Sequence, residues 1–362
     1  MRKTKKIPVN RYLYASGRIR ALEVQLLDLS RLSRLDEARS IEDVNRVLND
    51  SNYPAAPDPE TRLSLEMTTA IELVRSLLPE KAFIETLLIL HDYHNLKVIL
   101  KNLTAAWPQQ KPADELSQTD NLPEAAGPFA LANPADLEPY FLRPALVDPQ
   151  VMFVAIRDRD SGLIPADLYA AAVKAVKRYQ NSYDISDIDL LLDQTAFARA
   201  LSKAEKIGND FFTQYLQMQI DQTNLGLLLR TRFLQSGQAY LERALLAGGT
   251  LPTKRIIELY SGTAEQITAE YASTVYAKMA AMAAEYGQSG TAARFSLLAD
   301  NLIIEHITQA KLLWRGPEIP LAYLIARLME IKNIRIVLTC LRNGLPAGQA
   351  REMNRDRYMT WR

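Results

Sequence analysis

The chain has 362 residues, 48% hydrophobic and 23% charged, with few glycines and a formal net charge of +1. That balance describes a folded, helix-rich protein long enough for two or three domains, and it excludes an overall field that would gather nucleic acid or an acidic membrane surface. A single cysteine, Cys340, excludes an intrachain disulfide and fits a reducing cytoplasm.

The basic MRKTKK is followed only by short apolar stretches, so neither a signal peptide nor a transmembrane span is expected. Ile19, Leu22, Leu26, Leu29 and Leu32 recur at helical spacing and predict one long amphipathic helix. Ser40 and Asp43 then form a capping-box pattern with Asp in place of the usual Glu or Gln. PAAPDP breaks the chain before a helix that runs to about Leu78. HDYHNLKVILKNL, His91 to Leu103, follows as a further helix. From Trp107 to Pro149 prolines recur, which predicts a connector of turns and short helices. Helical units restart at Pro165 and Pro252, each time after Gly-x-aliphatic-Pro, and Ile7-Pro8 is a reduced version of the same start. Each unit also holds a second short helix: VNRVLND, IDLLLDQ and DNLIIEH.

The stretch MEIKNIRIVLTCLRNG, Met329 to Gly344, sets an asparagine inside an apolar and basic run, where Asn is a poor helix former. It is the third occurrence of one pattern. Asp92 with Asn95, Asp221 with Asn224 and Glu330 with Asn333 share an acid, two variable positions, Asn and an aliphatic. Pro79, Gly208 and Pro317 stand at one common offset upstream, followed by Glu80, Asn209 and Glu318, residue types that suit a helix start. Matched apolar positions run through Phe83, Phe212 and Leu321, then Leu87, Leu216 and Ile325. Beyond the Asn they continue at Leu96, Leu225 and Ile334, and at Ile99, Leu228 and Val337. IRIVLTC alternates as a strand would, but its counterparts do not, and all three continue a helical stripe. The asparagines at 95, 224 and 333 lie 129 and 109 residues apart, too far for a solenoid repeat. Three similar helical domains in a pseudo-threefold ring or funnel follow, with bounds 1–125 (a Pro-rich connector beginning near 107), 126–240 and 241–362.

Reactive chemistry is sparse. His91 and His94 with Asp92 share a helix at a spacing that can place two imidazoles near one metal. Their sister positions, Ile220 with Thr223 and Met329 with Lys332, carry no ligand, which favours a structural role. His306 and Cys340 read as core residues, and GGT at Gly248 lacks the Lys and spacing of a phosphate loop. No nucleophile elbow is present. The three amides either hold neighbouring backbone within their own domains or line a shared socket. The first is preferred because an unpaired buried amide costs about 1–3 kcal/mol. Arg18 and Arg20 form either a solvated face or a contact to an acidic partner.

SGRIRALE at Ser16 to Glu23, the Asn-helix triplet and the block GPEIPLAYLIARLMEIKNIRIVLTCLRNGL from Gly316 resemble the C subunit of bacterial and archaeal V-type or A-type ATPases, known as the d subunit in eukaryotic V-ATPases. The resemblance covers nearly the whole chain. The middle copy departs from it at Gly226 and Leu227, and the tail REMNRDRYMTWR has no close counterpart. It implies an all-α, non-catalytic funnel on the cytoplasmic face of a membrane rotor ring of proteolipid subunits. The socket of that funnel would receive a central stalk made by the D and F subunits, so that rotation passes between head and ring for ion transport or ATP synthesis, with no cofactor. A helical adaptor or scaffold unrelated to a rotary machine is the alternative, and a metal-dependent enzyme centred on His91 and His94 explains only those two residues.

Overall fold

The computed structural model describes residues 9–105, 134–345 and 352–358, so Ile7-Pro8 and most of the Pro-rich connector lie outside the described residues. The described chain is all-helical. In order it forms α1 (Leu13–Leu22), α2 (Leu29–Asp36), α3 (Ile41–Asp50), α4 (Pro59–Leu77), α5 (Ala82–Ala105), α6 (Pro149–Arg157), α7 (Ala166–Ser182) and α8 (Ser186–Ile207). It continues with α9 (Asp210–Phe233), α10 (Gln238–Ala244), α11 (Thr253–Glu258), α12 (Ala264–Tyr271), α13 (Ala277–Ala280), α14 (Thr291–Thr308) and α15 (Glu318–Arg342).

Local chemistry sets many of the boundaries. The Ser40–Asp43 capping box is complete, with each side chain bonded to the other's backbone N–H. Asp58 caps α4 with Pro59 in its first turn, where a missing N–H costs nothing. Pro165 and Pro252 stand immediately before α7 and α11. Gly208, expected at a helix start, instead ends α8 in the left-handed conformation at φ 71°, and its neighbour Asn209 caps α9. IRIVLTC lies wholly within α15.

Two expectations about helix length are corrected. The segment from Ile19 to Leu32 is not one helix. After α1 a 3-10 turn covers Glu23–Gln25, Leu26 is extended, and Asp28 opens α2 by accepting from the N–H of Arg31. A distant group joins this local cap: the carboxylate of Glu330 takes the N–H of Leu27 at 2.5 Å, a donor that a continuous helix would have used internally. Leu29, counted in the stripe, is exposed. IDLLLDQ and DNLIIEH are not short helices either, because each is one part of a long one, α8 and α14.

The three Asn helices, α5, α9 and α15, share a division of labour. Their first halves meet in one central cluster that includes Phe83, Ile84 and Leu88, then Phe212 and Leu216, then Leu321 and Ile325, with Ile19 of α1 and Val74 of α4. Phe83 and Phe212 meet edge to face at 5.3 Å. Their second halves part. That of α5 packs with α6, α7 and the start of α8. That of α9 packs with α10 to α14. That of α15 packs with α2, α3 and Leu63 of α4, so this third cluster draws on both ends of the chain. Leu137 and Phe141, at the end of the predicted connector, are buried in the α5 cluster and are part of a core.

Candidate functional site

Each asparagine sits just beyond the point where its helix leaves the central cluster, and each does the same thing. The carboxamide of Asn95 donates to the carbonyl of Leu142 at 3.0 Å and accepts from the N–H of Leu142 at 2.7 Å. Asn224 makes the same pair with Leu246, at 2.8 Å both ways. Asn333 makes it with Arg355, donating at 3.4 Å and accepting at 3.0 Å. A primary amide carries one acceptor and two donors on a flat group, so it can pair with both backbone groups of one residue as a neighbouring strand would. All three amides are buried, and buried backbone that lacks regular partners needs such a substitute.

The acids extend the grip in two of the copies. Asp92 accepts from the N–H groups of Leu146 and Val147, a little beyond Leu142. Asp221 accepts from the N–H and hydroxyl of Thr250, at the matching distance beyond Leu246, and from the hydroxyl of Tyr276. Burial pushes the Asp92 carboxyl up to about 6 against the pull of those two N–H groups. Glu330 departs from the pattern by turning to Leu27 and Arg327. Arg327 is almost fully buried between two carboxylates. Its Nη1 donates to Glu330 at 2.9 Å, while its Nε lies 2.9 Å from Glu66 without the alignment of a hydrogen bond. Two acids share one guanidinium there, and burial raises Glu330 to about 7 despite Arg327 and the Leu27 N–H.

His91 and His94 serve the same segment that Asn95 holds. Nδ1–H of His91 donates to the Pro144 carbonyl at 2.8 Å and Nε2–H of His94 to that of Tyr140 at 3.1 Å. Burial lowers both imidazole pKa values, which keeps the rings neutral. Among the described residues no group of three or more His, Cys, Asp or Glu side chains could hold a metal ion. His306 gives Nε2–H to the Phe211 carbonyl, and Cys340 is buried.

Arg18 is exposed, whereas Arg20 is half-buried and makes contacts within the chain. Its guanidinium grips Glu23 through both oxygens and donates to the carbonyls of Ala310 and Leu313, each at 2.8 Å, joining α1 to the chain just before α15. The helix-start residues also have distinct partners. Glu80 accepts from the hydroxyl of Tyr12, and Asn209 donates to Glu318 at 2.7 Å, so the N-terminal end of each Asn helix is tied to another element.

Sequence reasoning missed the Arg327–Glu66–Glu330 cluster and the residues that the amides hold. One signal for the latter was available: Leu246 and Arg355 both lie 22 residues beyond their asparagines, while Leu142 lies 47 beyond its own, with the Pro-rich stretch between.

Among the described residues no helix is long and apolar enough to cross a membrane. The chain is 22% identical over 356 residues to the C subunit of the A-type ATP synthase of Pyrococcus abyssi, covering 94% of this chain and 90% of that one. It is 20% identical over 347 residues to the C subunit of the V-type sodium ATPase of Enterococcus hirae, covering 94% and 97%. The sequence profile of the ATP synthase (C/AC39) subunit matches residues 15–138 and 148–353, nearly the whole chain. By that match the protein belongs to the ATP synthase (C/AC39) subunit family.

Proposed function

We propose that this chain is the non-catalytic central-stalk component of a rotary V-type or A-type ATPase, seated on the cytoplasmic face of the membrane. There it joins a shaft made by the D and F subunits to the membrane rotor ring and passes rotation between them. The observation that carries the reading is the family match along nearly the whole chain. The packing supports it in physical terms. Three long helices anchored in one cluster and then parting into three suit a pseudo-threefold funnel of similar units, and such a body resists twist because each unit shares a continuous helix with the centre. The buried amides act from inside, holding each unit's loop to its helix, while exposed Arg18 is a candidate contact for an acidic partner. Torque transmission needs stiffness and complementary surfaces, and no step of it requires a reactive group or a cofactor.

The test is removal and restoration. In membranes stripped of this chain, the nucleotide-hydrolysing head should keep its ATPase activity while ion transport stops, and adding the purified chain should restore coupling. Normal coupled pumping without the chain, or ATPase activity that follows the chain through purification, would refute the assignment.

A further inference from the structure

The segment held by Asn333 follows α15, the last of the three Asn helices, and reaches back to the joint after α1. Residues Glu352 to Tyr358, EMNRDRY, lie across α14, α15 and the joint after α1. Asn333 pairs with the backbone of Arg355, whose side chain enters the body: Nε donates to Asp300 at 2.6 Å and Nη2 to the hydroxyl of Ser296 at 2.9 Å. Three residues on, the hydroxyl of Tyr358 donates to Glu23 at 2.9 Å, and the ammonium of Lys311 sits 4.6 Å from the centre of its ring. Asn354 donates to Asp36, and the N–H of Asp356 donates to Asn301. Pairing one backbone unit while reading two flanking side chains is how peptide sites combine affinity with specificity.

Two features make this arrangement reversible. First, the two carboxylates that hold the segment's side chains stay paired when it leaves, so the cost of release falls on the Asn333 amide and on the buried ring of Tyr358. Asp300 keeps Lys332 at 2.6 Å, and Glu23 keeps the two-pronged grip of Arg20, so neither carboxylate becomes a buried unpaired charge, the usual reason such contacts cannot open. Second, one flank of the segment is not close-packed. Asp356 and Arg357 border an open cleft of ≈ 520 Å³ that also runs past Asn301, Glu305, Lys311 and Leu312. Leu246, the counterpart held by Asn224, is instead sealed within the fold.

We propose that the groove between α14, α15 and the joint after α1 is a reversible peptide-binding site for an extended segment with Arg and Tyr three residues apart, and that its resident ligand is the chain's own Glu352–Tyr358. Tethering keeps the local concentration of that ligand high, so the site is filled by default, and release frees α1, α2 and α14 from a shared clasp.

The experiment uses the full-length chain with residues 346–351 replaced by the recognition sequence of a site-specific protease, folded before cleavage and then freed of the released piece by gel filtration, its removal checked by mass spectrometry. A fluorescent EMNRDRY peptide is then titrated and followed by anisotropy. The cleaved protein should keep its helical circular dichroism and bind the peptide saturably. Arg355→Ala in the peptide, or Asp300→Asn in the body, should each weaken binding by about tenfold or more. Failure of the labelled peptide to bind the cleaved protein, binding indifferent to Arg355→Ala, or loss of helix on cleavage would each overturn the proposal. The last result would make the segment an integral piece of the core.

Discussion

The three amides make the same bonds in different surroundings, so substituting each with leucine should give graded losses. At position 224 both partner groups, the N–H and C=O of Leu246, are sealed from water, and both bonds are 2.8 Å long. Each buried group left unpaired costs about 1–3 kcal/mol, while the leucine returns about 1–2 kcal/mol through added apolar burial. The net expectation for Asn224→Leu is a loss of about 2–4 kcal/mol. At position 95 the partner Leu142 is half-buried, and Asp92 and the two histidines hold the same segment, so the loss should be smaller, about 1–3 kcal/mol. At position 333 one bond is already long at 3.4 Å, and the partner segment borders an open cleft at Asp356 and Arg357, so the Arg355 backbone can turn to water. There the loss should be below about 1.5 kcal/mol. Urea denaturation followed by far-ultraviolet circular dichroism measures the series, provided the slopes match so that midpoints compare directly. A loss under about 0.5 kcal/mol at 224, or a larger loss at 333 than at 224, would refute the reasoning.

Glu330 yields a pH prediction. Its carboxyl is raised from 4.5 to about 7, so the folded chain keeps a proton that the unfolded chain releases. That contribution is whole below about pH 4.5 and fades as pH rises through 7, a swing of about 3 kcal/mol. Glu330→Gln should flatten that window and equal or exceed the wild type at pH 8, measured as thermal midpoints at stepped pH; a steeper fall with pH in the variant would contradict it. Phe212→Ala should cost about 3–5 kcal/mol, because it opens a cavity where α5 and α9 meet, and a cost below about 1 kcal/mol would mean the central cluster is not shared. Gly208→Ala should cost about 1 kcal/mol through its left-handed backbone alone, since a Cβ there meets nothing; a neutral result would show that the turn relaxes.

The helices and the Asn triplet were legible in the sequence because the apolar stripe has a 3.6-residue period and because Asn in such a stripe demands a partner. What the amides hold was not legible from pattern, since an amide that pairs with backbone leaves no side-chain complement to search for. The break after α1 was hidden in part for a similar reason. Asp28 was a local cap signal inside the apolar stripe, but the partner that takes the Leu27 N–H, Glu330, lies 303 residues away. The internal contacts of Arg20 were hidden too, because its partners include carbonyl oxygens before α15, which every residue type supplies equally. Only long-range contacts distinguish these cases, and local composition carries no trace of them.

The cluster shared by α2, α3 and the second half of α15 has a consequence for how the protein is made. On the ribosome Leu32, Leu35, Val44, Val47 and Leu48 emerge well before their packing partners Ile334, Val337 and Leu338, which follow only after the whole of α4 to α14. Until α15 emerges the apolar faces of α2 and α3 lack their cover, while the α5 and α9 clusters can close as soon as their own segments have appeared. The nascent chain therefore carries an exposed, aggregation-prone surface on α2 and α3 until α15 arrives, and these early-made helices wait longest for their cover.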